Sequence, residues 1–194
     1  MRIAVVGRSA LGTALLQRLE TGTCWDAHEV PGGWRAAASP AEAAARADYA
    51  VVGSDETVLL FGRGVARGLP PGACVILAGE ADARALAERL GDEGVGVLEA
   101  RCVPNAVLVA GDRDAFDEAK SVLRAVGKPM FVGPVGAAAA VAGLVADAMD
   151  LDARFTWAVE RGAFPAQIRN ALREAGAHET TVAHAAALAA RYAV

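Results

Sequence analysis

Short apolar runs of strand length alternate with segments of helical periodicity along most of the chain. Residues 3–6 form a continuous β-branched run, as expected for a strand that is buried on both faces of a parallel sheet. Leucines then recur at helical spacing through residues 11–19. The same reasoning predicts further strands at residues 23–30, 49–52, 74–77, 95–98, 106–110 and 130–132. Strands that alternate with helices of this length indicate an α/β fold built on a doubly wound sheet.

The pattern changes after Gly136, and the rest of the chain has the periodicity of helices. A long helical pattern covers residues 137–161, and two shorter helical segments follow it. We therefore predict two domains. Residues 1–136 carry the sheet, and residues 137–194 form a small all-helical C-terminal region that packs on the sheet or on a second subunit.

Composition and charge exclude several classes of protein. Apolar residues make up 54% of the 194 residues, so the chain can build a large core and disorder is excluded. A formal net charge of −4 without a basic stripe argues against nucleic acid as the main partner. The three cysteines are widely spaced, which suits a reduced compartment. The sequence lacks an uninterrupted run of roughly 18 apolar residues, so it predicts no membrane span. The first residues are a strand rather than a signal peptide, so we expect a cytoplasmic protein without a membrane partner.

The first strand runs into a glycine-bearing turn that opens a helix. The residues of this turn are Gly7, Arg8, Ser9, Ala10, Leu11 and Gly12. Gly7 allows the tight turn, and Gly12 lets the helix approach the strand closely. The exposed N–H groups at the start of the helix favour a pyrophosphate, although Ser9 adds a Cβ where the backbone should approach the phosphate. The turn predicts that residues 1–136 are a Rossmann-type dinucleotide-binding domain.

An acidic side chain at the end of the second strand would hold the ribose hydroxyls of NAD. Glu29 lies 17 residues after Gly12, close to the expected spacing, and Asp26 is a competing candidate. Arg35, just beyond, would instead suit the 2′-phosphate of NADP. The predicted cofactor is therefore NADP or NAD, and the sequence leaves the choice open.

Several short motifs occur in order along the chain, at residues 38–44, 47–52, 111–116, 125–128 and 132–136. Together with the glycine turn they resemble the β-hydroxyacid dehydrogenase group, which includes 3-hydroxyisobutyrate and 6-phosphogluconate dehydrogenases. The resemblance implies a Rossmann domain and then an all-helical domain whose first long helix often supports a dimer. It also implies that the loop after the fourth strand faces the cofactor, and this loop holds Ser54, Asp55 and Glu56. We predict that it continues as a helix over residues 55–67.

The chain departs from that group at the positions that carry its chemistry. The resemblance places the catalytic lysine at Ala142 and the serine-glycine-glycine substrate loop at residues 99–105, which are shortened. Reduction of a ketone requires a proton donor within hydrogen-bond reach of the oxygen, and alanine supplies none. Asp147, one further turn along, is a candidate catalytic residue by resemblance to imine reductases. The alternative interpretation is that Asp147 belongs to a solvated charged helix face.

Three functions fit this sequence. The first is an NAD(P)-dependent oxidoreductase that reduces an imine or a similar small-molecule substrate, which needs little acid catalysis. The second is a deazaflavin-dependent NADP reductase, in which the protein mainly holds two cofactors face to face. The third is a non-catalytic Rossmann protein that senses nucleotide or binds a partner. We also expect a homodimer through the C-terminal helices, because the apolar stripe of residues 137–161 needs a partner surface.

Overall fold

The computed structural model describes residues 1–27, 29–147 and 149–192, and within them the chain forms one eight-stranded sheet. The strands are β1 (Ile3–Val6), β2 (Gly22–Trp25), β3 (Trp34–Ala36), β4 (Tyr49–Val52), β5 (Cys74–Leu77), β6 (Gly96–Val103), β7 (Ala106–Gly111) and β8 (Lys128–Gly133). Their order in the sheet is β3-β2-β1-β4-β5-β6-β7-β8. All neighbours are parallel except β6 and β7, which form an antiparallel hairpin. The predicted α/β fold with a doubly wound sheet is confirmed.

The direction of the winding reverses between β1 and β4. From β1 the chain moves outward to β2 and β3, and it then returns to place β4 on the other side of β1. In open α/β sheets, ligands bind at such a reversal, in the crevice outside the carboxyl ends of the strands. Every residue of β1 and β4 is buried, so the strands at this crevice belong to the core.

Helices cover both faces of the sheet. They are α1 (Ala10–Arg18), α2 (Pro40–Ala44), α3 (Val65–Gly68), α4 (Ala83–Asp92), α5 (Arg113–Leu123), α6 (Ala137–Ala146), α7 (Leu151–Glu160), α8 (Pro165–Glu174) and α9 (Glu179–Arg191). Helices α1 and α5 pack on one face. Helices α2 to α4 pack on the opposite face, and α6 to α9 cover β7 and β8. The all-helical C-terminal region thus packs directly on the sheet, while the division into two domains at Gly136 stays a prediction.

The predicted strand at residues 23–30 is too long, because β2 ends at Trp25 and a new strand, β3, follows. Residue 28 of that prediction lies outside the described residues. Trp34 is buried at the start of β3, and its indole Nε1 donates to the carbonyl oxygen of Leu19 at 3.0 Å. A Cβ at Gly22 would lie 2.7 Å from Cη2 of Trp34. The space for the indole ring therefore comes from a glycine on the neighbouring strand, which local patterning does not reveal.

The predicted helix over residues 55–67 is interrupted. A π-helical turn at Val58–Gly62 is followed by the short helix α3. Gly64 separates them with a left-handed φ of 76°, which a residue without a Cβ adopts readily. Asp55 also has a positive φ, of 55°, so the chain turns sharply before the helical segment begins.

The long helical pattern over residues 137–161 forms two helices rather than one. Helix α6 ends at Ala146, and Oδ1 of Asp147 then accepts a hydrogen bond from the Met149 N–H at 3.0 Å. Asp150 follows with a left-handed φ of 54°, and α7 begins after it. Both helices bury their apolar sides within the chain. The apolar stripe of this pattern therefore does not require a second subunit to cover it.

Candidate functional site

A cleft of about 790 Å³ opens at the carboxyl ends of β1, β4, β5 and β6. Its walls come from residues 8–11, 54–58, 78–81 and 100–102. The volume falls within the range of sites that bind small molecules and cofactors, about 300–1,000 Å³. The first two segments are the glycine turn and the loop after the fourth strand, so the fold brings together the two regions that the sequence analysis selected.

The turn after β1 requires glycine at both of its ends. Gly7 has a φ of 74°, and a Cβ there would lie 2.8 Å from Cδ1 of Leu59. A Cβ at Gly12 would lie 2.8 Å from Cγ1 of Val5, because α1 rests directly on β1. A tight turn and a close approach of helix to strand, the two reasons for these glycines in the sequence analysis, are both present in the structure.

Ser9 fits the turn as the cap of helix α1. Its backbone is extended, with φ −158° and ψ 159°, so this position does not need glycine. Its Oγ accepts a hydrogen bond from the Gly12 N–H at 3.0 Å, as serine commonly does at the start of a helix. The N–H groups of Ala10 and Leu11 have no acceptor among the described residues. They remain available to an anion in the cleft.

Gly53 joins the glycine turn to the loop after β4, and sequence reasoning misses it. A Cβ at Gly53 would overlap the carbonyl oxygen of Arg8. The Gly53 N–H donates to the carbonyl oxygen of Val6 at 2.9 Å, and the Ser54 N–H donates to that of Arg8 at 2.8 Å. The two segments of the cleft wall are therefore held together backbone to backbone.

Asp26 lies directly after β2, beside the glycine turn. The Gly7 N–H donates to the carbonyl oxygen of Trp25 at 3.1 Å, which fixes the end of β2 against the turn. An Asp26 carboxylate oxygen lies 3.7 Å from the guanidinium of Arg8 in an exposed ion pair. Asp26 also has a left-handed φ of 57°. An acid therefore stands at the end of the second strand, four residues after β2 begins.

The other two candidates near β2 make no hydrogen bond or ion pair with the glycine turn in the described part of the chain. Glu29 is exposed on the connection between β2 and β3. Neither Glu29 nor Asp26 is among the described residues that line the cleft, but Asp26 pairs with Arg8, which does line it. Arg35 lies on β3, and its Nη1 donates to Oε1 of Glu42 at 2.6 Å. Arg35 lines a separate cavity together with Met1 and Gly22, at the amino ends of β1 and β2. Arg35 therefore lies near the amino ends of the strands, whereas the glycine turn lies at their carboxyl ends.

Glu56 is a buried carboxyl group in the wall of the cleft. Its side chain is 2% exposed, and Oε1 and Oε2 accept hydrogen bonds from the N–H groups of Gly79 and Ala81, each at 2.9 Å. Burial raises the pKa of this carboxyl group, and the two N–H donors partly oppose that effect. Glu56 thereby ties the loop after β4 to the loop after β5, a role that its position in the sequence does not indicate.

Glu99 and Arg101 form an ion pair where β6 leaves the parallel part of the sheet. Strand β6 pairs with β5 as far as Glu99 and continues to Val103 beside β7. Glu99 is fully buried, with Oε1 at 3.3 Å from Nη2 of Arg101. Its two carboxylate oxygens also accept hydrogen bonds from the N–H groups of Gly136 and Ala139, at 2.7 and 3.0 Å. Sequence reasoning treats this stretch as a shortened loop and misses both side chains.

Neither Asp147 nor Ala142 is among the described residues that line the cleft. Asp147 lies at the C-terminal end of α6, where Oδ2 is 2.6 Å from Nη2 of Arg154 in an exposed ion pair. The other end of this ten-residue helix contacts Glu99, roughly 15 Å away. Ala142 packs beside the apolar core of the C-terminal helices. This geometry agrees with the interpretation of Asp147 as part of a solvated charged face.

Other features of the described residues add little to the site. No group of three or more His, Cys, Asp or Glu side chains there could hold a metal ion. None of the helices in the described ranges combines the length and apolar character needed to cross a membrane. Cys102 lies in the cleft wall, but desolvation raises the pKa of its thiol, which disfavours the nucleophilic thiolate.

Solved structures with a similar fold include imine reductases and 3-hydroxyisobutyrate dehydrogenases. An imine reductase from Myxococcus stipitatus in complex with NADP+ has a TM-score of 0.63 and 22% identity, over 73% of this chain and 58% of its own. One from Aspergillus terreus in complex with NADPH4 has a TM-score of 0.63 and 19% identity, over 80% of this chain and 63% of its own. The Mycobacterium tuberculosis 3-hydroxyisobutyrate dehydrogenase, solved with L-serine, has a TM-score of 0.61 and 20% identity, over 99% of this chain and 93% of its own.

These likenesses confirm, at the level of the fold, the resemblance to the β-hydroxyacid dehydrogenase group. The chain spans 58% and 63% of the length of the two imine reductases. No protein-family model matches the chain, and no curated protein matches its sequence. The function therefore has to be argued from the cleft itself.

Proposed function

We propose that the protein is an NAD(P)-dependent oxidoreductase that reduces a small imine. The observation that carries this proposal is the cleft at the strand reversal, where the start of α1 offers the N–H groups of Ala10 and Leu11 beside Arg8. This arrangement suits the pyrophosphate of a dinucleotide. The two imine reductases of similar fold were solved with NADP+ and NADPH4, which supports the same class of cofactor.

The sheet sets the direction in which a dinucleotide would lie across the cleft. With its pyrophosphate at the start of α1, its adenosine ribose would lie towards β2 and Asp26. Its nicotinamide would then lie towards β4 and β5, whose loops contribute Ser54, Asp55 and Gly79 to the wall. The bound cofactor would supply a hydride, and the residues of the turn and of the two loops would hold it in place.

We propose that the preferred cofactor is NADH. Asp26 places a carboxylate where it would accept hydrogen bonds from the ribose hydroxyls of NAD, and the same charge would repel the 2′-phosphate of NADP. Arg35, the side chain that could have favoured NADP, is paired with Glu42 near the amino ends of the strands, away from the cleft. Arg8 is a cation at this end of the cleft, and Asp26 already lies beside it.

An imine suits a cleft that lacks the catalytic lysine of the β-hydroxyacid dehydrogenase group. A ketone must receive a proton on oxygen as the hydride arrives, whereas a protonated imine already carries its proton. Ala142, at the position of that lysine, packs among apolar helices away from the cleft. Asp55 and Glu80 line the cleft instead, and their negative charges favour a cationic iminium group.

Calorimetric titration of the purified protein with NADH and with NADPH tests this proposal, after a check that no nucleotide co-purifies. We expect micromolar binding of NADH and about tenfold weaker binding of NADPH, because like charges repel at Asp26. Asp26→Ser should remove the difference. Glu29→Ser, a matched loss of a carboxylate that does not pair with Arg8, should leave the difference unchanged, and a change there would return the ribose-binding role to Glu29.

The same titration separates the alternatives. If neither nucleotide binds, the proposal fails and the non-catalytic Rossmann protein becomes the better hypothesis. If NADPH binds and is oxidised by a deazaflavin but by no imine, the deazaflavin-dependent reductase is favoured. Oxidation of NADH by a panel of cyclic imines would support the proposed reaction.

We further propose that the protein is a homodimer through its C-terminal helices. Because α6 and α7 are separate helices, the dimer can no longer be argued from the apolar stripe of one long helix. Met149 and Trp157 nevertheless remain exposed, at 79% and 45%. One precedes α7 and the other lies on it. Large exposed apolar side chains on one short segment of the chain favour an interaction surface there, and a second copy of the chain is the partner that we propose.

A further inference from the structure

Arg101 lies at the end of the cleft that is remote from the glycine turn. Strands β1, β4, β5 and β6 are successive neighbours in the sheet. Three strand spacings therefore separate Arg101 on β6 from Arg8 after β1, roughly 14 Å. Among the described residues that line the cleft, these two carry the positive charges. If Arg8 serves the cofactor phosphates, Arg101 faces the side on which the molecule to be reduced would bind.

The guanidinium of Arg101 is anchored through Nη1, while Nε and Nη2 keep hydrogen-bonding capacity. Its Nη1 donates to the carbonyl oxygens of Leu77 and Ala100, at 3.2 and 3.1 Å. In the described part of the chain, Nε and Nη2 donate no hydrogen bond that meets ordinary geometry, although Nη2 lies 3.3 Å from Glu99. The side chain is 16% exposed. Nε and Nη2 form the edge of a guanidinium that binds a carboxylate through two parallel hydrogen bonds.

Glu99 does not consume the whole charge of Arg101. Its two carboxylate oxygens accept hydrogen bonds from the N–H groups of Gly136 and Ala139, at the start of α6. The partial positive charge at the start of this helix therefore stabilises the buried carboxylate together with Arg101. Glu99 acts as a positioning residue that sets the orientation of the guanidinium. Glu56 is a second buried carboxyl group near Arg101, but burial raises its pKa and so disfavours its negative charge. The guanidinium therefore keeps the capacity to attract a further anion.

From this geometry we infer that Arg101 binds a carboxylate group of the substrate. The inference rests on the proposed function and narrows its substrate to a small imine that carries a carboxylate. In such a molecule the cationic iminium group would face the acidic side chains Asp55 and Glu80, and the carboxylate would face Arg101. Both charges of a zwitterionic substrate then have an opposite charge in the cleft wall.

A pair of unreactive probes tests this inference without depending on turnover. Cyclohexanecarboxylate and cyclohexanecarboxamide share one ring and nearly one size, and they differ in charge. They are titrated calorimetrically into the protein saturated with NADH. We expect the carboxylate to bind roughly ten- to a hundredfold more tightly than the amide, as charge-assisted hydrogen bonds do. Equal binding of the two probes to the wild-type protein would overturn the inference.

Variants assign the preference to Arg101. Arg101→Lys keeps a positive charge beside Glu99 but cannot form two parallel hydrogen bonds to a carboxylate. The preference for the carboxylate over the amide should therefore fall about tenfold. The double variant Arg101→Leu, Glu99→Gln removes both charges together, which avoids an unpaired buried carboxylate, and it should bind both probes equally. Arg124→Leu, at the exposed end of α5, is the matched control and should behave as the wild type.

The NADH titration of each variant separates this inference from the proposed function. NADH affinity should stay within about twofold of the wild type in every Arg101 variant, since the proposed pyrophosphate site beside Arg8 lies roughly 14 Å from this residue. A large loss of NADH affinity would assign Arg101 to the cofactor and overturn the inference. If the wild type itself does not bind NADH, the proposed function fails, and the two probes titrated into the protein alone still decide whether Arg101 binds a carboxylate.

Discussion

Both the fold and the cleft require a residue without a Cβ at Gly53. A Cβ there would overlap the backbone of Arg8, which cannot move without disturbing the glycine turn. In Gly53→Ala we expect the free energy of unfolding to fall by about 2 kcal/mol, as for other overpacked sites. For a chain of this size that corresponds to a decrease in Tm of about 4–8 °C. Calorimetry should show weaker NADH binding as well, because the turn and the loop after β4 form one wall.

Gly91→Ala is the matched control for this substitution. Gly91 lies on α4, and an added Cβ there would meet no atom within 4 Å. Alanine is a better helix former than glycine by about 1 kcal/mol, so the Tm should rise or stay constant. NADH binding should not change. Wild-type NADH affinity in Gly53→Ala would show that the close contact between the two loops is not needed for the cleft.

At the scale of single residues, the sequence reveals those roles that depend on neighbours along the chain. Gly7 and Gly12 could be predicted because a strand, a turn and a helix follow one another there. The role of Ser9 as a helix cap has the same local origin. Gly22 and Gly53 could not be predicted, since the groups that exclude a Cβ at these positions come from Trp34 and Arg8.

At the scale of elements, Glu56 connects the loops that follow β4 and β5. Glutamine at this position has one acceptor oxygen for the two N–H donors of Gly79 and Ala81, so one donor would lose its partner. We expect Glu56→Gln to lower the free energy of unfolding by about 1–3 kcal/mol. Chemical denaturation measures this change. Glu80→Gln, on the exposed part of the same loop, should have little effect.

The effect of Glu56→Gln should depend on pH in a defined direction. Burial raises the pKa of Glu56 above its ordinary value of 4.5, so the folded protein holds this proton more tightly than the unfolded chain does. The contribution of this proton to stability is therefore fully present below about pH 4.5, and it is lost as the pH rises through the raised pKa. The stability difference between wild type and Glu56→Gln should shrink from pH 4 to pH 7. A difference that grows with pH would mean that the two N–H donors outweigh burial.

The boundaries of elements were predictable only where the pattern itself ends. Continuous apolar runs gave β1, β4 and β5 within one residue of their observed bounds. The interruptions at Gly64 and Asp150 lie within continuous helical patterns, and they arise from left-handed backbone conformations. Aspartate adopts this conformation less readily than glycine, so the sequence around Asp150 carries only a weak signal for the end of a helix.

At the scale of the whole molecule, the order of strands assembles the cleft from distant parts of the sequence. The alternation of strands and helices predicts the doubly wound class but does not predict which strands become neighbours. The ion pair of Glu99 and Arg101 reaches the cleft only because β6 lies beside β5 and extends past its end. For that reason the glycine turn could be predicted as a nucleotide site, while the side chains proposed to bind the substrate could not.

Assembly is the last property that belongs to the whole molecule, and the proposed dimer surface around α7 can be tested directly. A stable interface removes about 800 Å² from each partner, and exposed anchors such as Met149 and Trp157 contribute most when they are buried at its centre. We expect sedimentation at micromolar concentration to give the mass of two chains. A glutamate at either position would bury an unpaired charge in the dimer, so Met149→Glu combined with Trp157→Glu should give monomers with unchanged helical content. Val30→Glu, an exposed apolar residue far along the chain from α7, is the control and should remain dimeric. A wild-type protein that sediments as a single chain at every concentration would show that these side chains are ordinary surface residues, and it would leave the cleft to be formed by one chain alone.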